Sequence, residues 1–171
     1  MAEFGLNQKK DAEPRFHSPS HASEEGEERK STAALPIEIL LVEDNPADVR
    51  FFREALHLAG IRHQLSVTTN GEEAMAFLHR SGQFRSAARP EVIVLDLKLP
   101  RVSGHAVLAA IRVDPELRGI PVVVLSSSYA PRDQERSFDL EADHYVTKPI
   151  GLEMLAGELK IIEALAGRRR S

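Results

Sequence analysis

The sequence predicts an open, doubly wound α/β sandwich around a five-stranded parallel sheet. Two patterns predict it. Five short runs, at residues 37–42, 64–68, 92–95, 120–125 and 143–146, alternate with segments carrying helix caps and helical apolar spacing. Most of these runs are apolar at consecutive positions, as strands buried on both faces are. Parallel strands joined by right-handed helical crossovers follow from that alternation.

The first run, Ile37-Glu38-Ile39-Leu40-Leu41-Val42, ends at Glu43-Asp44. Asn45 is then a good N-cap, and Pro46 sits where a missing N–H costs nothing. Val49, Phe52, Leu56 and Ala59 share one helical face, and Gly60 stops the helix. Residues 64–68 alternate weakly and form the second strand. Asn70-Gly71-Glu72-Glu73 opens a second helix with acids in its first turn, and Ala74, Phe77 and Leu78 supply its apolar face. A polar loop over residues 81–90 leads to Val92-Ile93-Val94-Leu95, which ends at Asp96. After the loop signals Leu99-Pro100 and Ser103-Gly104, Val107, Leu108 and Ile111 mark a third helix. The fourth strand tolerates Pro121 near its start and ends at Ser126. Pro131 begins a mostly polar helix with little beyond Phe138 and Leu140 to bury. A short fifth strand ends at Thr147-Lys148-Pro149, and a last helix covers residues 152–166.

Residues 1–36 hold Phe4, Leu6 and Phe16 among Lys, Glu, Ser, Pro and His, with the run Glu24-Glu25-Gly26-Glu27-Glu28-Arg29-Lys30. So little apolar area cannot offset the entropy of ordering, and the expectation is a disordered N-terminal extension. Residues 37–167 form the folded domain, and residues 168–171 read as a short, solvated basic tail.

The 171 residues carry 22 Lys+Arg against 26 Asp+Glu, a formal net charge of -4, so bulk charge does not hold the chain to nucleic acid. No cysteine is present, which excludes a disulfide scaffold, a thiolate metal site and a cysteine nucleophile. No apolar run approaches the roughly 20 residues that span a bilayer, and the start lacks a secretory signal. The expectation is a cytoplasmic protein with neither membrane nor nucleic acid as partner.

In such sheets ligands bind beyond the carboxyl ends of the strands. The first strand delivers Glu43 and Asp44 there, the third Asp96, the fourth Ser126 and the fifth Lys148. Singly, each has an ordinary use as a turn residue, a solvated loop, a strand-end hydroxyl or an ion-pair partner. Together they gather charges that are costly beside a buried sheet unless partnered. Oxygen ligands alone select a hard divalent cation, Mg²⁺, with Asp44 and Asp96 as carboxylates and Glu43 acting directly or through water. Lys148 is then a point charge for a phosphoryl group, and a carboxylate can be the nucleophile that accepts it.

These residues resemble the receiver domain of two-component response regulators. The match runs over residues 37–166 and rests on Leu41-Val42-Glu43-Asp44-Asn45, on Leu95-Asp96-Leu97-Lys98-Leu99-Pro100 with Gly104, on Leu125-Ser126-Ser127 and on Tyr145-Val146-Thr147-Lys148-Pro149. The resemblance implies a flavodoxin-like strand order 2-1-3-4-5 and phosphate accepted on Asp96 from a histidine kinase. It implies Mg²⁺ bound by Asp44, Asp96 and the backbone carbonyl of Lys98, with Glu43 assisting. It implies that Ser126 and Lys148 contact the phosphoryl group, that Tyr145 is an aromatic switch, and that Lys148-Pro149 is cis. Ser126 drawn inward would open space for Tyr145 and remodel the face of the fourth helix, fifth strand and fifth helix. The polar fourth helix is expected to be loosely held.

Lys98 and Ser127 stand where the family often has smaller or neutral side chains, which bears on phosphate lifetime. Asn45-Pro46-Ala47-Asp48 and the 81–90 loop look like small stand-alone receivers paired with bacterial phytochrome kinases. That resemblance implies a homodimer through the C-terminal face. Only Gly167-Arg168-Arg169-Arg170-Ser171 follow the last helix, so the expected output is protein contact or phosphotransfer to a downstream protein. Two rivals remain: a receiver-shaped binding module that is not phosphorylated, and an aspartate-nucleophile phosphatase. The latter calls for a second acid two residues after the nucleophile, where this chain has Lys98. No enzymatic activity is expected beyond self-phosphorylation from small donors and slow autodephosphorylation.

Overall fold

Side-chain caps at Asn45, Asn70 and Ser103 set where the first three helices begin, and the apolar runs set which faces the helices cover. The computed structural model describes residues 35–148 and 151–170. Its elements are β1 (Ile37–Val42), α1 (Pro46–Leu58), β2 (His63–Thr68), α2 (Gly71–Leu78), β3 (Val92–Leu95), α3 (Gly104–Val113), β4 (Val122–Ser126), α4 (Pro131–Asp139), β5 (His144–Thr147), α5 (Leu152–Leu159) and α6 (Ile161–Arg170). The Lys148-Pro149 peptide and nearly all of the N-terminal extension lie outside the described residues.

The sheet order is β2-β1-β3-β4-β5, and every neighbouring pair is parallel. Val42 is level with Thr68 and with Leu95, and Ser126 with Thr147, so the carboxyl ends finish along one edge. Successive strand residues face opposite sides. Ile39, Leu41, Val94, Val123 and Val146 pack with Phe52 and Leu56 of α1 and with Leu155, Leu159 and Ile162 of α5 and α6. Leu40, Val42, Ile93, Leu95, Val124 and Tyr145 pack with Phe77 of α2 and with Val107, Leu108 and Ile111 of α3. Full burial stabilises by about 1.5–3 kcal/mol per large aliphatic or aromatic side chain, so these two cores hold the sheet edge rigid.

Asn45 caps α1 by accepting from the Ala47 N–H. Asn70 caps α2: its Oδ1 accepts from the Glu73 N–H at 2.9 Å, while Glu73 Oε2 accepts from both the N–H and the hydroxyl of Thr69. Asn70→Ala is expected to cost about 1 kcal/mol, read as a lower denaturant midpoint at unchanged slope.

The structure departs from the sequence reading at a few boundaries. β4 starts at Val122, after Pro121, which has no N–H to give but whose carbonyl accepts from Ile93. β5 starts at His144 because Asp143 serves as a clasp, its carboxylate accepting from the Val122 N–H and from Arg112. The single last helix is two, interrupted at Lys160, whose N–H turns to the Gly157 carbonyl three residues back. Helical backbone then continues through Gly167 to Arg170, where a tail was expected. The 81–90 loop contains a 3₁₀ turn, Gly82–Phe84, anchored by Phe84 edge-on to Phe77.

Candidate functional site

β1 hands the chain directly to Glu43 and Asp44, and β3 hands it to Asp96. One carboxylate oxygen from each of the three lies within 4.8 Å of the others. Glu43 and Asp96 are buried while Asp44 is exposed, so the cluster opens to solvent on one side. Glu43 is further fixed by accepting from the Asn45 N–H at 3.0 Å, and Asp96 Oδ1 by accepting from the Lys98 N–H at 3.1 Å. The donor set is all oxygen, compact and anionic, which fits a hard divalent cation.

Lys148, just beyond β5, crosses to this cluster. Its Nζ donates to Glu43 Oε2 at 2.7 Å, to Asp48 Oδ2 at 2.9 Å and to Asp96 Oδ2 at 3.4 Å. Burial works against the ammonium charge, but the Glu43 and Asp48 carboxylates outweigh it and hold Lys148 protonated well above its ordinary range. Glu43 is itself pushed up, chiefly by burial, with Lys148 and the Asn45 N–H pulling the other way. Three carboxylates face this ammonium and Asp44 adds a fourth to the cluster, leaving room in the charge balance for a divalent cation.

The β3–α3 loop is shaped by a close approach. Gly104 opens α3 and donates its N–H to the Leu97 carbonyl at 3.0 Å. A Cβ at this position would sit 2.2 Å from the Asp96 carbonyl oxygen and 2.6 Å from the Leu97 Cα. Glycine here is what lets α3 begin against the backbone that carries Asp96.

A chain that folds this way and gathers two acids from β1, one from β3, a hydroxyl from β4 and a lysine beyond β5 has a family counterpart. The response regulator receiver domain pattern matches residues 39–160. The chain belongs to the response regulator receiver family. It is 42% identical over 129 residues to Response regulator Rcp1 of Synechocystis sp., covering 75% of this chain and 88% of Rcp1. The Mn²⁺-bound structure of Rcp1 superposes with a TM-score of 0.68, covering 75% of this chain and 93% of that one. The phosphorylated cyanobacterial phytochrome response regulator RcpA is 44% identical with a TM-score of 0.68, over 75% of this chain and 91% of its own. The bacteriophytochrome response regulator RtBRR is 36% identical with a TM-score of 0.66, over 78% and 79%. The fold and the phosphoacceptor role are thus those of a receiver, and receivers bind a divalent metal at this acidic pocket.

The receiver's remaining expected residues lie on the α4 side. Ser126 is fully buried, and its Oγ accepts from the Ser128 N–H at 3.2 Å. Tyr145 is already packed inward, 8% exposed, with its hydroxyl donating to the Ser128 carbonyl at 3.1 Å. The expected rotation of Tyr145 into space freed by Ser126 would therefore have to start from another arrangement than this one. The Lys98 side chain is exposed, and only its N–H engages Asp96.

Two further groups sit on helices rather than directly after strands, where the sequence alone does not single them out. Asp48 sits in the first turn of α1, which opens on the same edge, and an acid three residues into that helix was the available signal. His105, at the start of α3, is buried with Nε2 at 3.1 Å from the Asp133 carbonyl and 3.0 Å from the Ser137 hydroxyl. A carbonyl only accepts, so Nε2 carries the proton. Ser137 is the buried residue of α4, and the Ser128 hydroxyl donates to the Asp133 carboxylate. α4 is therefore pinned by polar contacts where apolar ones are few.

Proposed function

We propose that Asp96 takes a phosphoryl group from a phosphohistidine of a sensor histidine kinase. Mg²⁺ would be held by Glu43, Asp44, Asp96 and the backbone carbonyl of Lys98. The observation that carries this reading is the Lys148 ammonium lying within reach of Glu43, Asp48 and Asp96 at the mouth of an all-oxygen cluster.

In the reaction an Asp96 carboxylate oxygen attacks phosphorus. The P–N bond breaks, its electron pair stays on the imidazole, which ends up protonated, and an acyl phosphate forms on Asp96. A cation held by these residues would supply charge neutralisation for the transferring group. Lys148 donates to one of those oxygens, held cationic at any physiological pH by its carboxylate partners. Ser126 exchanges its contact with the Ser128 N–H for one with the phosphoryl group. A hydrogen bond to a charged group contributes about 1.5–3 kcal/mol, and moving a two-state equilibrium from 1:99 to 99:1 takes about 5.5 kcal/mol. Ser126 and Lys148 together contribute about 3–6 kcal/mol before the contacts they give up, so they supply much of the drive for a change that Tyr145 and the Ser128–Asp133 contact pass to α4.

The kinase in this reading is a phytochrome, supported by relatives that carry that word in their names. The protein acts in the cytoplasm and signals through the α4–β5–α5 face or by onward phosphotransfer, as a homodimer. Phe138 on α4 and Met154 on α5 are exposed apolar side chains of the kind a protein contact covers.

Incubation with acetyl phosphate and Mg²⁺, read by intact mass, tests the central step. One phosphoryl adduct is expected on the wild type, absent with excess EDTA and absent from Asp96→Asn. A wild type that gains nothing, or an Asp96→Asn variant that gains the same adduct, would overturn the assignment.

A further inference from the structure

The three acceptors around Lys148 do not share it equally. An ammonium has three N–H groups. Glu43 and Asp48 take the short contacts, 2.7 and 2.9 Å, while the phosphoacceptor Asp96 is left with 3.4 Å. Glu43 is anchored, with its carboxylate also accepting from the Asn45 N–H and its side chain 2% exposed. Asp48 is the outlying partner. It stands on α1, and its side chain is 39% exposed.

We infer that Asp48 is a positioning residue that draws Lys148 away from the phosphoryl group and so sets how long the phosphate stays on Asp96. This rests on the reading of Asp96 as phosphoacceptor. The phosphoryl oxygens must bond the same Nζ that Asp48 bonds at 2.9 Å. A third N–H remains for the phosphoryl oxygens, but the short Asp48 contact pulls Nζ away from them, shares its charge and places a second negative charge beside theirs. These effects weaken the hold of the pocket on the phosphorylated state. Loss of the phosphate is hydrolysis: water attacks phosphorus, the P–O bond to Asp96 breaks with its electron pair left on the Asp96 carboxylate, and inorganic phosphate leaves. A Lys148 bound fully to the phosphoryl group, with its charge unshared, slows that loss by as much as it stabilises the acyl phosphate more than the transition state of its hydrolysis.

The test loads the full chain with acetyl phosphate and Mg²⁺, removes the donor, and follows the adduct by intact mass for the wild type, Asp48→Asn and Asp48→Glu. Asp48→Asn keeps the shape of the side chain and removes its charge. The expected result is a phosphate half-life about tenfold longer in Asp48→Asn, a wild-type-like half-life in Asp48→Glu, and closely similar unfolding midpoints for all three. A merely structural role would move the midpoint and not be rescued selectively by the second acid. An Asp48→Asn half-life equal to or shorter than that of the wild type overturns the inference while leaving Asp96 as acceptor. A wild type that takes no phosphate overturns the reading beneath it and the inference together.

Discussion

Lys148→Met is expected to lower folding stability by about 3–5 kcal/mol near neutral pH in EDTA, the usual cost of leaving a buried charge without its partner. Methionine keeps much of the side-chain volume, so the loss reports charge more than packing. The stranded groups are Glu43 and Asp96, with side chains 2% and 8% exposed, and both face the position of the Nζ. Glu43 is already pushed up by burial, and Lys148 is what pulls it down. Without Lys148 its folded value rises further. A carboxylate raised on folding keeps its full stability below its unfolded value and loses it as pH rises through the folded one. The gap between variant and wild type should therefore be small near pH 4 and widen towards pH 8. Denaturant unfolding across that range checks it. In parallel, the rate of phosphorylation by acetyl phosphate should fall by about 10²-fold or more, the scale seen when one preorganised donor is removed from a developing charge.

Gly104→Ala is the second large effect. The added methyl would meet the Asp96 carbonyl oxygen at 2.2 Å and the Leu97 Cα at 2.6 Å, and both are backbone atoms that no rotamer change can move. Overpacking against a fixed neighbour costs about 1–3 kcal/mol, and this contact belongs at the upper end. Relief requires the β3–α3 loop to shift, which breaks the Gly104 N–H bond to Leu97 and re-aims Asp96. A displacement of about 1 Å can cost 10²-fold in rate. Both a lower unfolding midpoint and slower adduct formation are expected, whereas Gly119→Ala, whose added Cβ would enter open space, should leave both near wild type.

The parts of the receiver that the chain announces are those decided locally. The caps at Asn45 and Asn70, the strand β1 and the positions of Glu43, Asp44, Asp96, Ser126 and Lys148 along one edge all follow from apolar runs and the residues just after them. What stayed hidden was decided by partners distant in sequence. Asp143 looks like the start of a strand until Arg112 and the Val122 N–H engage its carboxylate. Asp48 looks like an ordinary first-turn acid until Lys148, 100 residues on, reaches it. The fourth helix reads as loosely held because its apolar content is thin, yet His105 and Ser137 meet inside and supply polar anchorage that no periodicity reveals. The inward packing of Tyr145 is likewise set by its hydroxyl meeting the Ser128 carbonyl, a contact that composition does not encode.

The location of the phosphoryl group is the point on which the rest turns. Borohydride reduces an aspartyl phosphate to homoserine and leaves free carboxylates alone. Reduction of the acetyl phosphate-treated protein, followed by peptide sequencing in the mass spectrometer, is expected to find homoserine at position 96 and at no other aspartate. Homoserine at position 44 or 48, or phosphate carried by a histidine or serine with residue 96 still an aspartate, would contradict the assignment of Asp96.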